Sequence, residues 1–209
     1  VLEARPGMRA ALVSVADLYR DAWWPDHDRR NGEWIAAARQ ALDRYEACLA
    51  PRLAQAFAAE WPDRPIPVDV TVYASWAAAY TTYDPPHITI SSVAVGSQGL
   101  FAVELLLHEA GHTLMLPLER ELDRAAAAAG RRADSRLAHL LLFYTAGDLV
   151  WRAVPGYPTA AEAFGVWRQN ERTARYRELL RREWRPYLAG ARTLDDAIAA
   201  LGTADAPGP

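Results

Sequence analysis

Apolar residues recur every three or four positions through the first sixty residues, and the period shortens to two only in one short central stretch. From Gly7 to about Trp24, Leu12, Val15, Ala16, Leu18 and Tyr19 keep helical spacing. Pro25-Asp26-His27-Asp28 reads as a break, with His27 on the surface. A longer helix is expected from about Glu33 to Trp61, with Trp34, Ile35, Ala38, Leu42, Tyr45, Leu49, Leu53 and Phe57 as its stripe. Pro51 should kink or divide it. Beyond the proline-rich break from Pro62 to Pro67, Val68, Val70 and Val72 alternate with Asp69 and Thr71 ahead of Tyr73, which is a strand pattern. Ala79 to Thr82 and His87 to Ser91 read as two more strands, with Asp84-Pro85-Pro86 turning between them. The expectation is a small antiparallel sheet.

Helical period then returns. Leu100 to Leu116 is rich in Leu, Ala and Val, with Ser97 and Gly99 to start it and Pro117 to stop it. Glu119 to Gly130 is a second, Ala-rich helix. Asp134 and Ser135 offer caps for a third that runs to about Val154. Pro155-Gly156-Tyr157-Pro158 is a tight loop, Thr159 caps a helical stretch through Trp167 to Trp184, and Asp195 to Leu201 is a short last helix. The tail from Thr203 to Pro209 is expected to be disordered. The pattern predicts a mainly α member of the α+β class in a single domain, residues 1–209. Residues 1–61 form N-terminal helices, 66–154 the sheet and central helices, and 155–202 the C-terminal helices.

Composition narrows the function classes. A 51% hydrophobic content fits a packed globular chain. A formal net charge of −3 gives no electrostatic pull toward nucleic acid or an anionic membrane, and no run of about twenty apolar residues spans a bilayer. All 23 basic residues are Arg, which reads as compositional bias. The lone Cys48 excludes an internal disulfide and reads as a small core residue. Most of the eight Trp, including Trp23, Trp34, Trp61, Trp167 and Trp184, sit at helical spacing and read as core. The chain opens on Val1 and not Met, which fits a processed or trimmed chain. A secreted or periplasmic location is the corresponding expectation, with a cytoplasmic one also open.

The chemistry concentrates in Glu104-Leu105-Leu106-Leu107-His108-Glu109-Ala110-Gly111-His112. Four residues of α-helix turn through about 400°, so His108 and His112 project from one face, where both reach a single tetrahedral Zn²⁺. Glu109 lies about 100° around from His108, beside the metal, placed to take a proton from an activated water. An apolar helix carrying two His and a Glu needs something to satisfy them. Two core histidines bonded to carbonyls are the simpler alternative.

These residues resemble the zincin metallopeptidases, the zinc proteases defined by HExxH, and the resemblance is strong over this helix and loose around it. It implies a zincin-like fold in which a sheet precedes the HExxH helix and its edge strand lies along the cleft. On that parallel the strand His87 to Ser92 borders the site and pairs with a peptide substrate, against the alternative of an ordinary interior strand. A catalytic zinc takes three protein ligands and keeps one position open. One zincin branch places a third His six residues after the second, with a Gly midway. Leu118 and Met115 occupy those places here. The thermolysin-like branch, or gluzincins, uses a Glu on a following helix, but the stretch Ser135 to Trp151 has none. It has His139 and Asp148, nine residues apart and so on opposite faces. His139 is the preferred ligand and is expected inside, among leucines. Asp148 comes next, with Arg152 one turn away as an ordinary partner, and Glu119, Glu121 and Asp134 remain open.

Glu104, one turn before His108, is expected either to accept that ring's second N–H or to pair with an Arg. By the same resemblance, a Tyr, His or Arg would stabilise the oxyanion. Tyr157 is the preferred candidate, ahead of Tyr144 and His87. The activity implied is zinc-dependent hydrolysis of a peptide bond with Glu109 as general base. The alternative is a non-catalytic zinc protein serving a structural or interaction role.

Overall fold

The computed structural model describes residues 6–203. It is mainly helical, with one three-stranded mixed sheet, and belongs to the α+β class. Of the expected tail, residues 204–209 lie outside the described residues, while Thr203 ends the last helix.

Two helices lead, Pro6–Ala22 (α1) and Trp24–Ala56 (α2). The break between them falls at Trp23 and not across Pro25–Asp28, because Pro25 sits in the first turn of α2, where a backbone N–H has no helical partner to lose. Pro51 lies inside α2 and does not divide it. The apolar positions of α1, including Leu12, Val15 and Leu18, are exposed, and so are Trp23 and Cys48, against the expectation that the last two are core. Helical spacing shows which side of a helix is apolar, not whether anything covers it. His27 is half-buried, its Nδ1 3.0 Å from the Tyr19 hydroxyl.

The strands are Val68–Thr71 (β1), Ala79–Tyr83 (β2) and Pro86–Ser91 (β3), in the order β1-β3-β2. β2 and β3 form an antiparallel hairpin, but β1 runs parallel to β3, with Val68 opposite Ile88 and Val70 opposite Ile90. Two expectations are therefore corrected. The sheet is not all antiparallel, and the strand from His87 is central, not an edge. Period-two alternation is the same in both kinds of ladder and in edge and central strands.

Next come Leu100–His112 (α3), Leu116–Ala128 (α4) and Ser135–Ala153 (α5). α3 ends four residues earlier than the sequence suggests, and Pro117 opens α4 instead of closing α3. Asp134 caps α5 by accepting from Arg136 N, and Thr159 caps Ala160–Ala163 (α6). The expected helix through Trp184 is broken into α6, Glu171–Leu179 (α7), a π-helical turn Leu180–Trp184, and Arg185–Leu188 (α8), which contains Pro186 in its first turn. Leu194–Thr203 (α9) follows. No helix among the described residues is long and apolar enough to cross a membrane.

α3 is buried on two sides. Ala102, Leu106 and Ala110 pack with Trp34, Ala38, Ala79, Ile88 and Ile90 between α2 and the sheet. Val103 and Leu107 join the larger core of α2, α4, α5 and the C-terminal helices, around Leu141, Leu142, Leu180 and Trp184. A polar residue on this helix is therefore sealed unless it faces the gap between β2 and α5.

Candidate metal centre

That gap holds three imidazoles. His108 and His112 project from α3, and His139 meets them from α5, with ligand-capable atoms of all three within 4.8 Å of one another. His108 Nε2 and His139 Nε2 are 3.2 Å apart. Two nitrogens held about 2.0–2.1 Å from one tetrahedral ion stand about 3.3–3.4 Å apart, so this pair already has nearly the separation a shared metal needs. The group could hold a metal ion, and among the described residues no fourth side chain of a ligating type belongs to it. Phe143, one turn beyond His139, packs its ring 4.0 Å from that of His108 and 5.0 Å from that of His139, restricting both.

Burial is graded across the cluster. His108 is buried, His112 half-buried and His139 exposed, so the site opens to solvent on the α5 side. His139 is thus not inside, as its leucine neighbours suggested. Leu140, Leu141 and Leu142 are buried in the core, while the His139 ring turns to the cleft. Burial, then the neighbouring imidazoles, holds His108 well below the usual histidine range. His112 is pushed down to about 4 by burial and then by His139, and His139, exposed as a residue but with its Nε2 end turned in toward His108, is lowered by the resulting partial desolvation. All three are neutral near pH 7, which is the form with a lone pair to give.

Glu109 is buried on the sheet side of α3. Burial raises its pKa, and a hydrogen bond from Thr81 works against that rise. Thr81 Oγ1, on β2, lies 2.6 Å from Glu109 Oε2. Two residues further along the same face of β2, the Tyr83 ring stands edge-on to His112, 6.4 Å between centroids. The sequence singles out neither: Thr81 reads only as part of a strand, and the expected strand stops one residue short of Tyr83.

Glu104 takes neither expected partner. Its Oε2 accepts from the Tyr157 hydroxyl at 2.8 Å and from Ala160 N at 2.9 Å, while Oε1 and His108 Nδ1 are both sealed without a hydrogen bond. Gly147 makes room for this carboxylate, because a Cβ there would lie 3.1 Å from Oε1. Burial raises the Glu104 pKa to about 7, and the two donors offset only part of that rise. Tyr157, the preferred oxyanion donor, is buried with its hydroxyl committed to Glu104. The other two candidates are also elsewhere. His87 Nε2 faces Asp69 across the β1–β3 pair at 3.1 Å, and the Tyr144 ring packs on Trp167.

The remaining third-ligand candidates lie outside the cluster. Asp148 is paired with Arg152 and lies 3.9 Å from Arg185, Asp134 accepts from Tyr176, and Glu121 pairs with Arg124. Glu119 is exposed on α4. No protein-family model matches the chain, and neither a curated protein nor a solved structure matches it.

Proposed function

We propose that the protein is a zinc-dependent peptidase, with a zincin-like arrangement of sheet edge, HExxH helix and following helix. The observation that carries this reading is the convergence of three neutral imidazoles on one open-sided point; Glu109, next to His108 in the chain, is a buried carboxylate anchored by Thr81. His108, His112 and His139 would hold the ion. Zinc bound there supplies Lewis acidity, lowering the pKa of a water and polarising a carbonyl. The rest falls to the chain. Glu109 receives the proton of the attacking water and delivers it to the leaving amine nitrogen, a task suited to a carboxylate whose pKa burial has raised. Among the described residues β2 pairs only with β3, which leaves its other edge to take an extended peptide as an added strand, the role the sequence suggests for β3. Tyr83, exposed beside His112 on this strand, faces the same opening. The absence of a fourth ligating side chain among the described residues supports a catalytic site over a closed structural one.

The test is Glu109→Gln. The amide is nearly isosteric and leaves the imidazoles alone, so zinc content should match wild type. Hydrolysis of fluorescein-labelled casein should fall by about 100-fold or more. Wild-type hydrolysis by the variant, or loss of its zinc, would contradict the assignment.

A further inference from the structure

The side chain that fixes Glu109 comes from the strand, not from the helix. Thr81 Oγ1 has two acceptors in reach, Glu109 Oε2 at 2.6 Å and Glu109 O at 2.9 Å, and one proton to give. The shorter contact falls in the range of an O–H donor bound to an ionised carboxylate, which is the stronger acceptor. The donor is itself well placed. Thr81 pairs with Ile88 in the β2–β3 ladder, and its β-branched side chain has few χ1 choices. Glu109 Oε1 takes no hydrogen bond from any described residue and is not among the sealed polar atoms, so it is the carboxylate oxygen that water can reach.

We propose that Thr81 is a positioning residue, whose hydroxyl anchors Oε2 and so presents Oε1 of Glu109 to the metal-side water. The inference rests on the reading of Glu109 as the base. It adds that the base is keyed to β2, the strand whose open edge would carry the substrate, so both reacting partners are referenced to one rigid element. The competing role is structural. Glu109 O is among the last four carbonyls of α3, which lack full helical partners, and Thr81 could serve only to satisfy it.

The experiment uses the full chain loaded with Co²⁺ and titrated with acetohydroxamate, a small chelator whose hydroxyl needs a carboxylate acceptor beside the metal. Affinity is read from the visible absorption of the cobalt. Thr81→Val keeps shape and strand propensity, Thr81→Ser keeps the hydroxyl, and Glu109→Gln is the benchmark. Thr81→Val should weaken acetohydroxamate roughly tenfold, the scale of one hydrogen bond to a charged acceptor, and approach Glu109→Gln. Thr81→Ser should stay within about twofold of wild type, with cobalt affinity the same in all four proteins. Wild-type affinity in Thr81→Val beside a weakened Glu109→Gln overturns the positioning role and leaves Thr81 a cap, with the Glu109 reading intact. Wild-type affinity in Glu109→Gln removes the base and Thr81 together. A wild-type chain that takes up no cobalt overturns the metal centre and everything built on it.

Discussion

Gly111, between the two α3 histidines, decides how closely α3 can approach α5. A methyl group there would stand roughly 1 Å inside the ~3.5 Å at which carbon atoms meet comfortably, and the atom in its way is Leu142 Cδ1. Leu53 Cδ2 and Phe57 Cε2 would already be at 3.5 Å. Leu142 is 0% exposed, so it has no empty space to turn into. It lies three residues beyond His139 on α5 and shares its face. Gly111→Ala should therefore push α5 outward and widen the 3.2 Å gap between His108 and His139. Overpacking costs about 1–3 kcal/mol, and the helix propensity of Ala returns about 0.8–1.0 kcal/mol. The net loss is about 0–2 kcal/mol, or up to about 8 °C in Tm for a chain of this length. Zinc affinity should fall about tenfold or more, comparable to losing a group that orients a ligand. Thermal melts of the metal-free protein and competition against a chelator read the two effects separately. Adding Leu142→Ala should restore affinity while lowering stability, since deleting a buried Leu costs about 2–5 kcal/mol and the new methyl fills only part of the space. If Gly111→Ala binds zinc like wild type and melts higher, helix spacing is not set at this residue.

Asp148→Asn should lower Tm by unpairing Arg152, a loss of about 1–3 kcal/mol for a partly exposed pair, and leave zinc affinity unchanged by chelator competition. Loss of zinc would instead put the Asp148 face of α5 in the site. Glu104 has its pKa raised from 4.5 to about 7, so the folded form holds this proton more tightly than the unfolded chain. That contribution is complete below 4.5 and is lost as pH rises through 7. Glu104→Gln should gain Tm on wild type across that window, and a Tm difference that is constant with pH would refute it. Because His112 is held at about 4 and its two partners are also depressed, protons compete weakly for the ligands. Zinc affinity should stay nearly level from about pH 8 to about pH 6, whereas unperturbed imidazoles would already lose ground there. A steep fall over that range, read by chelator competition, would contradict the burial of the cluster.

The parts of the site legible in the sequence are those a helix determines by itself. The spacing of His108 and His112 fixes a shared face whatever surrounds it, and the nine-residue separation of His139 from Asp148 sends them to opposite sides of α5. What lies across from a helix is not local information. Thr81 and Tyr83 carry nothing in their neighbours to say that β2, and not β3, brings side chains to Glu109 and His112. The parallel pairing of β1 was unreadable for the same reason. Glu104 shows the limit from the other side. Its place on the helix was clear, but its partners came from Tyr157 and Ala160, more than fifty residues later. Pro25 and Pro117 misled because a proline reads as a stop, while in a first turn it marks a start.

The most direct test of the account is metal analysis of the chain purified without added metal, alongside its His108→Ala, His112→Ala and His139→Ala variants. The account predicts about one zinc per wild-type chain, loss of that zinc in His108→Ala and His112→Ala, and markedly weakened binding in His139→Ala, with each variant still folded by circular dichroism. A folded wild-type chain without zinc that cannot be loaded with it, or a metal content indifferent to these three histidines, would contradict it.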